Sequence, residues 1–574
     1  MGTRTNAESR PETTRRGVEI AAGGLWKTAG GRYVLHDVSF TVHPGELVAI
    51  VGGSGAGKTT LLEALAGVRL PERGSVRFDG VDLYASLDIF RSRLWYVPQD
   101  DIIHAELPLE RTLRYAAGLR LPPSTPKKEI DAAVERAMTA LDLSERARVR
   151  VGALSGGQRK RASIAVELLT QPHVFFLDEP TSGLDPASGA ELLRALHELT
   201  EAGSTVVFTT HSVQDLSYCD RVVFLAREGR LAFVGTVGEA LQYFDVQRLE
   251  EIYERLAREH TPEEWARRFH ERRRSIGASA EMAAPSEAAP PRRRRDRSTF
   301  GRQFSVLTRR TFETLARNRL TMAILLGSPV LVVAMFVILF RPGAFDLDDP
   351  SPSAIAMILF WVTFGAFFFG LTYGLLQIVT EQAILRREQL VGQRLSAYLL
   401  SKIAVLLPFL LLVIVLMLGL LRLLERLPPA SARTYLTVGV SLALDAAAAL
   451  TLGLLTSAAV GNPAQATLAL PMLCFPAVLF SGAILPVHVM AGVGAAISAV
   501  MPDRWAFEAL GHDLGVRDLL AHGGSPLGPP LLRAYGNAGT STTGVYWLYL
   551  GAFTVVFFVG AWATLLRRCR NRIR

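Results

Sequence analysis

The chain has 574 residues, enough for two or more cores, and its 62 lysines and arginines outnumber 53 acidic residues for a net charge of +9. Charged residues crowd the part before Arg319, after which long apolar runs take over, so the basic excess is expected to meet an anionic membrane surface rather than nucleic acid. Cys219, Cys474 and Cys569 are scattered, with neither metal-ligand nor redox spacing, which excludes a disulfide framework and points to a reduced, cytosol-facing soluble half.

Residues 1–17 are polar, read as disordered, and lack the apolar stretch of a cleaved signal peptide. Over residues 18–246, apolar runs such as VFFL (174–177), VVFTT (206–210) and VVFLA (222–226) alternate with helical stretches, the pattern of a soluble α/β domain. Leu47–Val51 reads as a buried strand, Gly52–Gly57 as a glycine-rich turn, and a helix opens at Lys58 and Thr59. That is G-x-x-x-x-G-K-T in the setting the motif requires, so Gly52, Gly53, Ser54, Gly55, Ala56, Gly57, Lys58, Thr59 and Thr60 form a candidate phosphate cradle. Lys58 is suited to neutralise the outer phosphates, and the Thr59 hydroxyl to hold a magnesium ion.

Two further stretches carry chemistry. LSGGQ, comprising Leu154, Ser155, Gly156, Gly157 and Gln158, offers a hydroxyl and bare backbone donors just before a helix, a second anion-binding turn. One nucleotide has no evident use for two such turns unless the second faces a nucleotide held by a neighbour. VFFLDEPTSGLD then sets two carboxylates at the mouth of a strand, with Asp178 placed to hold hydrated magnesium and Glu179 to polarise an attacking water.

Taken together these motifs resemble the ATP-binding cassette transporters, over residues 18–574. The resemblance implies that Asp178 is the Walker B aspartate, Glu179 the catalytic glutamate and Asp185 the D-loop aspartate. It also assigns Gln99 in WYVPQDD as a Q-loop residue sensing magnesium, and His211 in FTTHS as the switch histidine holding the γ-phosphate. Two copies are then expected to close head to tail over ATP and Mg2+, with Ser155 and Gly157 of one touching the γ-phosphate held by Lys58 of the other. The aromatic that such proteins stack on adenine falls at Ala29 here, leaving Trp26 and Tyr33 as candidates.

Residues 247–300 read as a helical segment followed by a basic Pro/Ala-rich linker in which Arg292–Arg295 form a solvated, membrane-adjacent cluster. Residues 301–320 read as a connecting helix on the membrane surface. Six apolar segments follow at about 321–340, 354–379, 403–421, 434–460, 465–485 and 545–566, each near the roughly 20 residues a span needs. The fold class is thus a P-loop NTPase α/β domain followed by an all-α six-helix membrane domain. Its order, nucleotide domain first, resembles the G (White) subfamily of half-transporters, with an ABC-2 type membrane half.

Positive charge before the first span, at Arg386, Arg387, Arg394 and Lys402, and in the tail 567–574 places both termini in the cytosol. Arg422, Arg426 and Arg433 fall in an outer loop and argue the other way. Residues 486–544 suggest a short helix pair dipping back toward the membrane. Asp445 inside the fourth span marks either a pathway or a polar packing contact, and its residue type leaves the two open. Phe364 and Phe368 in the aromatic second span are candidates for lining a cavity, and Glu508 and His512 for an extracellular gate or a solvated loop. The leading expectation is an ATP-driven exporter or flippase of lipid-like or hydrophobic cargo. It would work as a homodimer in the inner membrane of a G+C-rich bacterium, without binding nucleic acid. The alternative is a membrane-anchored ATPase that remodels a partner complex without transport.

Overall fold

The computed structural model describes residues 17–90, 94–99, 102–170, 172–275, 299–346, 348, 350–390, 392–536 and 538–570. The expected N-terminal disorder, the linker with Arg292–Arg295 and the end of the basic tail lie outside the described residues. The chain divides into two compact units that part between Ser298 and Thr299.

In the first unit, strands β1 (Ile20–Ala29), β2 (Arg32–Val42), β3 (Leu47–Gly52), β4 (Arg73–Phe78) and β5 (Val81–Asp82) precede β6 (Leu94–Val97), β7 (Val174–Leu177) and β8 (Thr205–Thr210). The hairpin β9 (Arg221–Ala226) and β10 (Arg230–Gly235) completes them. One sheet is antiparallel, in the order β2-β1-β4-β5; the other has the order β10-β9-β3-β8-β7-β6. Its members β6, β7, β8, β3 and β9 run parallel. LVAIVG, VFFL and TVVFTT are buried at every position, as parallel strands covered on both faces must be. The register sets Val51 beside Thr210 and Leu177 beside Phe208, so the residues following β3, β7 and β8 emerge at one edge.

The helices of this unit are α1 (Lys58–Leu65), α2 (Leu87–Phe90), α3 (Leu109–Arg120), α4 (Lys127–Thr139), α5 (Gly156–Leu168), α6 (Pro186–Glu201) and α7 (Val237–Tyr243). Helices α8 (Leu249–Arg258) and α9 (Pro262–Ser275) close the described part.

The second unit is helical. A first helix, α10 (Phe300–Arg317), precedes α11 (Arg319–Leu339), α12 (Pro352–Leu375), α13 (Gln382–Leu390), α14 (Leu395–Leu423), α15 (Ala432–Ala459) and α16 (Pro463–Phe480). Four short helices, α17 (Gly492–Ala499), α18 (Pro502–Asp513), α19 (Val516–His522) and α20 (Gly528–Tyr535), lead to α21 (Thr543–Arg570). Among the described residues six helical segments are long and apolar enough to cross a membrane, one for each expected span, with α12 and α13 counted in a single segment. Among its described residues the 486–544 stretch holds four α-helices where a pair was expected: Pro502 opens α18, and Gly515 turns the chain with φ +64° between α18 and α19.

Helices α12 and α15 pack backbone to backbone. A β-carbon on Gly374 would lie 2.4 Å from the Leu450 carbonyl oxygen, and one on Gly453 2.6 Å from that of Leu371. Small residues at this seam do for α12 and α15 what apolar bulk cannot do in lipid. The main core of the unit gathers around Ile358, Val362, Met417, Leu442 and Ala446.

Candidate functional site

Gly52 ends β3, and the chain turns through Gly53–Gly57 into α1. Gly57 holds φ +90°, and a β-carbon there would sit 2.2 Å from the Val34 carbonyl oxygen on β2, so no other residue fits this cradle without moving a strand. Ala56 is buried and its N–H donates to the Gly53 carbonyl, while Gly53, Ser54 and Gly55 are exposed. Thr60 stands half-buried in the first turn of α1. The Lys58 ammonium donates to the carbonyls of Gly52 (2.9 Å) and Gly53 (3.2 Å). Burial pulls it below its ordinary pKa, against the opposing fields of Glu179 and Asp178.

Asp178 follows β7 and is almost wholly buried. Its Oδ1 accepts from the Thr209 hydroxyl at 2.6 Å and from the Thr59 hydroxyl at 3.1 Å. Glu179 adopts φ +45°, a conformation that costs a side chain of this kind energy and is held by its N–H donating to Thr209 Oγ1 at 2.9 Å. Its Oε2 accepts from Gln99 Nε2 at 3.0 Å and stands 3.5 Å from His211 Nδ1. Lys58, Thr59, Asp178, Glu179, Gln99 and His211 therefore form one connected group.

The second glycine turn is built separately. Ser155 and Gln158 cap α5 reciprocally: the Gln158 N–H donates to Ser155 Oγ at 3.3 Å and the Ser155 N–H to Gln158 Oε1 at 3.2 Å. Leu154 is buried, Gly156 faces open space, and Gly157 abuts Ser188. Asp185 caps α6 by accepting from the Ser188 N–H at 3.0 Å, so the two turns brace one another. Among the described residues no hydrogen bond or ion pair joins residues 154–158 to Lys58, Asp178 or Glu179. Lys160, one turn into α5, donates to the Gln99 carbonyl at 2.5 Å.

Trp26 and Tyr33 lie on the β1–β2 hairpin with ring centroids 5.4 Å apart, and Trp26 packs on His36 at 3.9 Å. Tyr33 is half exposed and directly precedes Val34, the residue that abuts Gly57. Two positions were missed in the sequence. Thr209 binds both acidic residues, and buried Asp215 accepts from the Thr181 and Thr210 hydroxyls, each at 2.6 Å, tying the segment after Glu179 to the one before His211. The VVFTT run held the only sign of Thr209, and β-branched strand residues are too common for that sign to be read.

In the second unit Asp445 is fully buried on α15 with neither oxygen hydrogen-bonded among the described residues. Phe364 and Phe368 stand half-buried in an aromatic file along α12, with centroids 6.1 Å apart. Glu508 and His512 are not in a solvated loop: both ride on α18, where Glu508 pairs with Arg504 at 2.9 Å and His512 Nδ1 meets the Gly539 carbonyl oxygen at 3.1 Å.

The site offers oxygen donors for a hard cation in the Thr59 hydroxyl and the Asp178 carboxylate, and a glycine cradle with a lysine for phosphates, so its residues fit a magnesium nucleotide. A parallel sheet carrying these groups at the ends of adjacent strands is a P-loop nucleotide-binding domain.

Residues 35–182 match the family model described as ABC transporter, and residues 302–512 the one described as ABC-2 type transporter. The chain is 33% identical over 518 residues to the ABC transporter ATP-binding/permease protein Rv1747 of Mycobacterium tuberculosis, covering 88% of this chain and 59% of that protein. It is 38% identical over 229 residues to ABC transporter G family member 26 of Arabidopsis thaliana, covering 38% of this chain and 33% of that one. A solved ATP binding subunit of an ABC transporter is 28% identical, with a TM-score of 0.37 over 42% of this chain and 99% of that subunit. The chain thus joins a domain of the ABC transporter family to one of the ABC-2 type transporter family, and is related to the G (White) members. It spans about three fifths of the mycobacterial relative's length and a third of the plant one's.

Proposed function

We propose that the protein hydrolyses ATP at the Lys58–Asp178–Glu179 site and couples that hydrolysis to moving lipid-like or hydrophobic cargo outward across a membrane, as a dimer of identical chains. The observation that supports this reading most is the convergence of Gln99, His211 and Lys58 on the Asp178–Glu179 pair, in a chain that also carries six membrane-length helices. Lys58 binds the outer phosphates and the N–H groups of the glycine turn orient them. Magnesium, when bound by Thr59, Asp178 and Gln99, supplies charge neutralisation at the phosphates. Glu179 accepts a proton from the water that attacks the γ-phosphorus, and His211 donates to the γ-phosphoryl oxygens as the bond to the leaving ADP breaks. In this reading the second turn, Ser155 to Gln158, serves the nucleotide of the partner chain, which gives the turn a use that a single copy does not. Trp26 or Tyr33 stacks on the base, and the nucleotide domain and both termini lie in the cytosol of a bacterium.

The test is Glu179→Gln in purified protein reconstituted in vesicles, assayed with a panel of lipids and amphipathic compounds. Turnover is expected to fall about 10²- to 10⁴-fold, the range for losing a general base, and cargo movement with it. Cargo that moves at the unsubstituted rate in this variant overturns the transport reading. ATP hydrolysis by a strictly monomeric chain overturns the dimer.

A further inference from the structure

Asp445 on α15 and Asp503 on α18 are both fully buried, and none of their four carboxylate oxygens has a hydrogen-bond partner among the described residues. The helices pack directly, and the two carboxylates lie close enough for the charge of one to act on the other. Thr363 on α12 is beside Asp503, yet its hydroxyl donates to the Leu359 and Phe360 carbonyls.

Among the described residues no compensating cation is at hand. On α18, Arg504 pairs with Glu508 and lies over the Trp505 ring. Asp513, farther along, accepts from the Thr543 and Ser441 hydroxyls. His512 meets the Gly539 carbonyl, and Arg517 on α19 donates to the carbonyls of Gly536 and Ala538. Lys402 on α14 pairs with Glu381, Tyr373 on α12 donates to the Leu325 carbonyl, and Tyr546 on α21 accepts from the Ser541 N–H. Cys474 on α16 feels the charge of Asp503 but carries none to balance it.

Two bare carboxylate charges cannot be held side by side in an apolar interior. Hard cations such as Mg2+ and Ca2+ take about six or more oxygen ligands and Zn2+ about four, whereas no cluster of three or more His, Cys, Asp or Glu able to hold a metal ion exists among the described residues. A proton needs only the pair: on one carboxyl it removes one of the two buried charges and with it their mutual repulsion. We propose that Asp445 and Asp503 form a proton-binding site of the membrane unit, sharing one exchangeable proton. The site sits where α18 meets α15, so any movement between them that admits water releases the proton, and their repacking takes it up again.

The test is an infrared titration of the full-length protein in lipid nanodiscs without nucleotide, so that its outcome stands apart from the hydrolysis reading. A protonated carboxyl band is expected at neutral pH, shifted by 13C-aspartate labelling and lost at alkaline pH. Asp445→Asn or Asp503→Asn should move its midpoint by about one pH unit or more, and the double variant should abolish it. Absence of a protonated aspartate in the unsubstituted protein at neutral pH overturns the proposal whether or not the variants fold, as does a band that survives the double substitution.

Discussion

Thr209 serves both acidic residues of the site with one hydroxyl, donating its proton to Asp178 and accepting the N–H of Glu179, whose backbone is held at positive φ. Valine has the same shape without the hydroxyl. Thr209→Val therefore leaves a backbone N–H unpaired beneath Glu179, a loss of about 1–3 kcal/mol, and frees the Asp178 carboxylate to turn. ATP turnover is expected to fall about 10- to 100-fold with nucleotide affinity changed far less, measured by kcat alongside a nucleotide titration. An unchanged kcat would show that the turn after β7 holds Glu179 unaided. The residues legible in the sequence were those whose geometry is local. Gly52–Thr60 declare themselves because strand, turn and helix follow one another within one short stretch. Thr209 and Asp215 acquire their roles only when β7 and β8 pair in parallel and bring distant positions together. The edge-on contact of Trp26 and Tyr33 on the β1–β2 hairpin belongs to the same hidden class, because it depends on how the two strands pair.

Helix α10 was legible as a connecting helix before the first span, but its anchors were not. Arg310 makes a bidentate pair with Glu388 on α13, both side chains buried, and Gln303 donates to the Gly392 carbonyl and accepts from the Arg394 N–H. Nothing near Arg310 in sequence names a partner some eighty residues on. Removing one member of a buried pair strands the other charge, so Glu388→Ala should cost about 3–5 kcal/mol, whereas replacing both by apolar residues of similar volume should cost less. Chemical denaturation of Glu388→Ala, of Arg310→Ala and of the double variant Arg310→Met with Glu388→Leu in one detergent reads this difference. A double variant weaker than either single would contradict it. The α12–α15 seam gives a second case: Gly374→Leu drives side-chain atoms into the Leu450 carbonyl and should cost at least about 1–3 kcal/mol in the same assay. An unchanged unfolding transition would show that the two helices can separate without loss. Spans themselves were legible from unbroken apolar length, while glycine in a span is too frequent to mark a seam.

Sidedness is a property of the whole chain, and the basic residues that conflicted in the sequence divide once their partners are known. Arg426, expected in an outer loop, is buried and donates to the carbonyls of Leu424 and Val337, so its charge closes the ends of α14 and α11 and reports little about topology. Lys402, counted for the cytosolic side, is likewise buried against Glu381 at 2.7 Å. Side-chain ties also say which helix ends lie together. Arg426 joins the C-terminal ends of α11 and α14, and Arg568 near the end of α21 donates to the Val460 and Ala459 carbonyls at the end of α15. These ties fit six alternating spans, with the ends of α15 and α21 on one face and those of α11 and α14 on the other. The basic residues of α10 and of the last turns of α21 then favour the cytosol for the face shared by α15 and α21. In a chain whose three native cysteines are replaced by serine, Ala430→Cys and Gly461→Cys sit at opposite ends of α15. A membrane-impermeant maleimide applied to intact cells should label the first, and reach the second only after permeabilisation. The reverse pattern would turn the membrane unit over and overturn the orientation that the proposed coupling requires.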